Sequence, residues 1–98
     1  MVQKTKEEPD TIYLDADKIT ATLSMRHRQP EDYLIISQKG EKKRLKEYLI
    51  EQKMPKELRD RAWLLADAEN VVWVPGYRMN QKYVLSEHTK KVLRISIE

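Results

Sequence analysis

From Ile19 the chain alternates, with Ile19, Ala21, Leu23 and Met25 apolar and Thr20, Thr22, Ser24 and Arg26 polar. A period of two predicts a half-buried strand over 19–26. Gln29-Pro30-Glu31-Asp32 reads as a turn, and the continuous apolar run Tyr33 to Ile36 that follows is read as a second strand. Between Glu41 and Lys53 the period changes: Leu45, Tyr48 and Leu49 stand at helical spacing, with Gly40 just ahead of the first turn. This predicts the main helix over 41–53. Pro55 ends it and opens a second, short helix at its first position, since Leu58 and Ala62 again fall four apart.

Downstream, Ala62 to Ala66 and Val71 to Val74 flank Asp67-Ala68-Glu69-Asn70, which suits a hairpin whose polar loop holds Asn at a turn position. Pro75-Gly76 predicts a type II turn, because proline fixes one dihedral and glycine tolerates the positive one. Tyr83 to Leu85 and Lys91 to Ile97 complete the strands, the latter alternating through Leu93, Ile95 and Ile97. The expected architecture is α+β: a small mixed sheet or sandwich, with one main helix and one short helix on one side. The first ten residues, MVQKTKEEPD, are polar throughout and are read as a flexible lead-in to a domain over 11–98.

Composition narrows the classes. A chain of 98 residues with 40% hydrophobic residues fills one small core. No Cys is present, which excludes disulfide frameworks and thiolate metal sites and is compatible with a cytosolic address. The longest apolar run, Ala62 to Ala66, is far short of the roughly 18 residues of a membrane helix. Both Trp63 and Trp73 lie in apolar runs and are expected to be buried.

Catalytic chemistry finds little support. Ser86 with His88 and the isolated His27 are the only nucleophile and base candidates, and both His sit in polar stretches typical of surface residues. Asp15 and Asp17 share a strand face and could hold a hard cation, but no third carboxylate or glycine-rich phosphate loop lies near them, so a turn is the plainer reading.

Charge is more informative in its distribution than in its total of +3. Lys39 to Arg61 holds nine basic and five acidic residues, and Val72 to Arg94 five basic and one acidic, whereas the first 38 residues are net acidic. In the predicted helix Lys43 and Arg44 both reach Glu47, while Lys42, Lys46 and Lys53 have no acidic neighbour at three or four residues. At helical spacing those three fall within about 40° of one another and form a bare basic ridge. In the short helix Lys56 pairs with Asp60 and Glu57 with Arg61, leaving Arg59 unpaired; Arg78, beside Tyr77, is likewise free of local acids. Unneutralised cations of this kind attract a phosphate backbone. A solvated helix face is the bland alternative.

The segments YLDADKI (13–19), LSMRHRQPED (23–32), KGEKKRLKEYLIEQKMPKELRDR (39–61), VVWVPGYRM (71–79) and TKKVLRI (89–95), in this order and spacing, resemble the C-terminal domain of bacterial tRNA(Ile)-lysidine synthetase. The resemblance implies a parent cytoplasmic enzyme that uses ATP to join lysine to the wobble cytidine of a minor isoleucine tRNA. That chemistry belongs to an N-terminal domain with an SGGxDS-type phosphate loop, which this sequence lacks. The resemblance therefore implies a non-catalytic domain with no cofactor of its own, whose partners are the catalytic domain and the tRNA acceptor stem. Lys42, Lys46, Lys53, Arg59 and Arg78 are the expected phosphate or ribose contacts, with Tyr77 positioning Arg78. A protein-interaction or dimerisation module is the alternative. The sequence departs from the family at Glu31 and Ala68, where many members carry glycine, and over Leu34 to Gln38.

Overall fold

A computed structural model describes residues 11–97, so the expectation for residues 1–10 lies outside the described residues. The fold is α+β. Its elements are β1 (Thr11–Asp15), β2 (Leu23–Arg26), β3 (Tyr33–Ile35), β4 (Lys42–Arg44), α1 (Leu45–Glu51), α2 (Lys56–Arg61), β5 (Leu64–Asp67), β6 (Asn70–Val74), β7 (Arg78–Met79) and β8 (Val92–Ser96), with 3₁₀ turns at Ala16–Lys18 and Gln81–Tyr83. A four-stranded antiparallel sheet in the order β2-β5-β6-β7 is accompanied by two two-stranded ribbons, β1-β8 and β3-β4.

The β5-β6 hairpin is buried on both faces, which explains why LLAD and VVWV read as continuous apolar runs rather than alternations. Register shifts at Leu65/Ala66, where Ala66 faces Val71 and Leu65 faces Trp73. This β-bulge turns Val72 and Trp73 toward the same face. Two cores result. Val71, Val74 and Leu64 pack with Leu34 of β3, Leu45 and Leu49 of α1, and Met54. Val72, Trp73 and Leu65 pack with Leu14 of β1 and with Tyr83, covered by Ile12, Leu93 and Ile95 of the β1-β8 ribbon.

A buried carboxylate ties these layers together. Asp67, fully buried at the end of β5, accepts from the Thr20 backbone N–H (2.9 Å), the Ala21 N–H (2.7 Å), the Thr20 hydroxyl (3.2 Å) and the Tyr83 hydroxyl (3.0 Å). Burial pushes this carboxyl up, but its donors, the Thr20 N–H foremost, outweigh that and hold it below the usual carboxylate range. Burial, reinforced by the bond to Asp67, raises the Tyr83 phenol well above its ordinary value. The network also corrects the expected strand over 19–26. Thr20 and Ala21 turn their backbone N–H groups onto Asp67, so pairing begins only at Leu23, opposite Asp67.

Three further expectations change. The main helix begins at Leu45, because residues 42–44 pair with β3 as Lys42↔Ile35, Lys43↔Leu34 and Arg44↔Tyr33, and Gly40 (φ 89°) turns that hairpin. The apolar period of Leu45, Tyr48 and Leu49 lies wholly inside the shortened helix, so it marked the helix and not its start. Tyr83 ends a 3₁₀ turn instead of opening a strand. Asn70 begins β6 and leaves Ala68-Glu69 as a two-residue loop, with Ala68 at φ 55° in the left-handed region. A positive φ at the first loop residue is the feature for which a type II′ turn favours glycine. Glu31, by contrast, needs no positive φ. The Pro75-Gly76 turn is as expected, with Gly76 at φ 84°.

Two outcomes follow for stability. Asp67→Asn places an amide N–H or a weaker acceptor against four donors and lowers unfolding free energy by about 3 kcal/mol in urea titration. The wild-type carboxylate contributes fully above the ordinary carboxylate range, and this is lost as pH falls through its lowered folded value, a slope that the variant lacks. Ala68→Gly removes the left-handed penalty and raises stability by about 1 kcal/mol in the same measurement.

Candidate functional site

The helix end that carries Lys53 is built by a specific C-terminal geometry. Lys53 stands in the left-handed region at φ 68°, its N–H donates to the Ile50 carbonyl (2.9 Å), and the Met54 N–H donates to the Leu49 carbonyl (3.1 Å). This is a Schellman motif, completed by the apolar partners Met54 and Leu49 in one core cluster. Glycine is the usual residue at that position, and here a lysine occupies it. Pro55 follows as the extended N-cap of α2, one position ahead of the first helical position that the sequence predicts for it.

Three of the five expected cations stand next to, or are bonded to, residues that line one groove. Lys53 precedes Met54 in the chain, and Arg59 of α2 donates from Nη1 to the Met54 carbonyl at 2.8 Å. Met54 and Tyr77 line the same groove, and Arg78 follows Tyr77, its Nε donating to the Met79 carbonyl at 3.1 Å. The Arg78 charge also acts on the Tyr48 phenol of α1, partly offsetting the burial that raises it. Lys46, on the first turn of α1, is exposed. Lys42 is placed elsewhere, on β4 with its Nζ 4.6 Å from the Tyr33 ring centroid. The helical ridge of Lys42, Lys46 and Lys53 is therefore not formed: Lys42 is on a strand and Lys53 lies past the helix end.

The pairing within the basic blocks is also set by tertiary structure. Lys43 reaches Glu51 at 2.6 Å and Arg44 reaches Glu31 at 3.7 Å, so neither uses Glu47, because strand residues do not follow helical neighbour rules. Lys56 pairs with Asp60 as expected (3.4 Å), and Arg28 joins the same carboxylate at 2.7 Å. These two partners, Lys56 first, hold the Asp60 carboxyl below its usual range. Arg26 forms a two-pronged bond to buried Asp32 (both 2.9 Å), which also accepts from the Gln29 N–H at 2.7 Å and closes the 27–31 loop. The bond to Asp32 raises the Arg26 guanidinium further still. Among the described residues, no carboxylate lies within salt-bridge distance of Lys42, Lys46, Lys53, Arg59 or Arg78.

The groove between these cations is apolar and has a volume of about 570 Å³. Met25, Met54, Trp63, Val74, Tyr77 and Ile97 line it. Trp63 is 56% exposed, against the expectation of burial, whereas Trp73 is buried as expected. The indole of Trp63 stacks on His27, with centroids 4.0 Å apart and planes at 30°. In sequence Trp63 looks continuous with LLAD, yet β5 begins one residue later, so hydropathy gives no sign of its exposure.

The remaining candidates resolve to structure. Asp15 caps the first 3₁₀ turn by accepting from the Asp17 N–H (3.0 Å), and it also accepts from the Thr89 hydroxyl (3.0 Å). Among the described residues no cluster of His, Asp or Glu could hold a metal. Ser86 and His88 form a local turn, in which the His88 N–H donates to the Ser86 hydroxyl at 3.1 Å. No helix of the described residues is long and apolar enough to cross a membrane.

Comparison with known proteins places this geometry. The chain is 37% identical over 87 residues to a tRNA(Ile)-lysidine synthase of Clostridium tetani, covering 88% of this chain and 18% of that protein. It is 39% identical over 84 residues to the tRNA(Ile)-lysidine synthase of Caldanaerobacter subterraneus subsp. tengcongensis, covering 85% and 18%. The chain thus spans about a fifth of the length of these relatives. A crystal structure of a TilS C-terminal domain superposes with a TM-score of 0.73 at 23% identity, over 100% of this chain and 78% of that one, and so shares the fold. The family model of the TilS substrate C-terminal domain matches residues 23–97. With most of its length matched, the chain belongs to the TilS substrate C-terminal domain family.

Proposed function

We propose that residues 11–98 form a non-catalytic tRNA-binding domain of a tRNA(Ile)-lysidine synthetase. It holds the acceptor stem of a minor isoleucine tRNA through phosphate and ribose contacts, while a separate catalytic domain joins lysine to the wobble cytidine with ATP in the cytoplasm. The observation that supports the reading is that Lys53, Arg59 and Arg78, none with a carboxylate partner among the described residues, are chain neighbours of, or bonded to, the groove-lining Met54 and Tyr77. Cations on neighbouring segments that no carboxylate neutralises suit a polyanion whose contacts release condensed counterions. Duplex RNA presents phosphates and 2′-hydroxyls along a shallow minor groove, and such a surface is recognised by shape more than by base edges. Lys46 extends the same binding surface, and Lys42 contributes from the β3-β4 ribbon.

Lys53 offers a test that separates charge from fold. Its left-handed conformation favours glycine, so Lys53→Gly stabilises the domain by about 0.5–1 kcal/mol in urea unfolding. In fluorescence anisotropy with the minor isoleucine tRNA, the same variant binds more weakly and has a log–log salt slope smaller by somewhat under one. Lys46→Glu weakens binding to this tRNA and to an unrelated tRNA alike. Binding that is absent, or unchanged by salt, contradicts the proposal and favours a protein-interaction or dimerisation module.

A further inference from the structure

The groove between the cations has features that a solvated surface does not require. An indole that is 56% exposed is held in place: His27 covers one face of Trp63, and the imidazole Nδ1 lies 3.2 Å from the Ala62 carbonyl beside it. Such a ring presents its open face with little side-chain entropy left to lose on binding. Tyr77, 43% exposed, stands in the same groove, and the thioethers of Met25 and Met54 line it with Ile97. Soft, polarizable thioethers pack well against aromatic planes.

The charges lie beside this apolar lining and not within it. Lys53 and Arg78 are the chain neighbours of the lining residues Met54 and Tyr77, and Arg59 is fastened to the Met54 carbonyl. An apolar peptide side chain would use the lining alone and leave three unpaired cations unanswered. An unpaired nucleobase uses both, since its ring stacks on aromatic side chains while its phosphate runs toward basic groups. Charge complementarity thus selects between the two occupants.

We infer that the Trp63–Tyr77 groove takes an unpaired nucleobase at the single-stranded end of an RNA duplex, with Lys53, Arg59 and Arg78 meeting the adjoining phosphates. This rests on the RNA-binding reading and adds to it a subsite for a strand end. The terminus next to an acceptor stem supplies such bases.

The test titrates the 98-residue chain with two RNAs, a blunt hairpin and the same hairpin carrying a short single-stranded 3′ tail, and follows tryptophan emission. Trp73 is buried, so quenching reports on Trp63. The tail is expected to tighten binding about tenfold and to quench emission. Trp63→Ala removes that advantage, so that tailed and blunt hairpins bind alike; Trp63→Phe keeps part of it, and Tyr77→Ala reduces it. Unchanged thermal midpoints verify the fold of each variant. Equal affinity of wild type for both RNAs overturns the nucleobase site while leaving duplex binding in place. Failure to bind either RNA overturns both readings. Loss of a dimer in sedimentation on Trp63→Ala assigns the groove to a second copy of the chain and overturns the inference as well.

Discussion

The fold is organised around a carboxylate with no water to solvate it. Asp67 gathers four donors, two from the Thr20–Ala21 backbone and two from hydroxyls, and through them fastens the approach to β2 and the second 3₁₀ turn to the central hairpin. Its burial would disfavour the charged form, and the donors reverse that balance. Without them the hairpin would keep only its apolar packing against the β1-β8 side.

What the hairpin positions on its other face is the candidate site. The bulge at Val72 leaves Val71 and Val74 toward α1 and Met54, so the helix end and the Pro75-Gly76 turn meet over one core cluster. Asn80 supports the irregularity by donating from Nδ2 to the Val71 carbonyl (2.7 Å) and accepting from the Ile35 and Lys82 N–H groups. Two side chains sit in strained left-handed backbone, Lys53 and Ala68. Ala68 closes a hairpin where glycine would do so more easily, and Lys53 ends the turn after α1 just ahead of the groove-lining Met54.

Much of this was legible in the sequence because the relevant interactions are local. The spacing of Leu45, Tyr48 and Leu49 marks α1, Pro55 marks the break before α2, and Pro75-Gly76 marks a turn with a positive φ. The misreadings share a cause: an interaction with a distant segment overrode a local pattern. Lys42 to Arg44 read as helix because their residues favour it, yet pairing with β3 makes them a strand. Thr20 alternates as a strand residue should, yet Asp67, 47 residues away, captures its N–H. Of the site, the lack of local acids beside Lys53, Arg59 and Arg78 is legible in the sequence, but the bond from Arg59 to the Met54 carbonyl and the shared groove of Met54 and Tyr77 depend on tertiary packing. The exposure of Trp63 was invisible, since an apolar residue beside a buried strand carries no mark of which side of the strand's first hydrogen bond it falls on.

On the proposed reading one face of the domain, running from α1 across the α1–α2 turn to the β6–β7 turn, meets RNA. Mapping amide chemical-shift changes in the uniformly labelled chain as an acceptor-stem duplex is added addresses it directly. The shifts are expected to cluster at Lys46, Lys53, Arg59 and Tyr77–Arg78 and to leave the β1-β8 ribbon unmoved. Shifts centred on that ribbon, or none at saturating RNA, would contradict it.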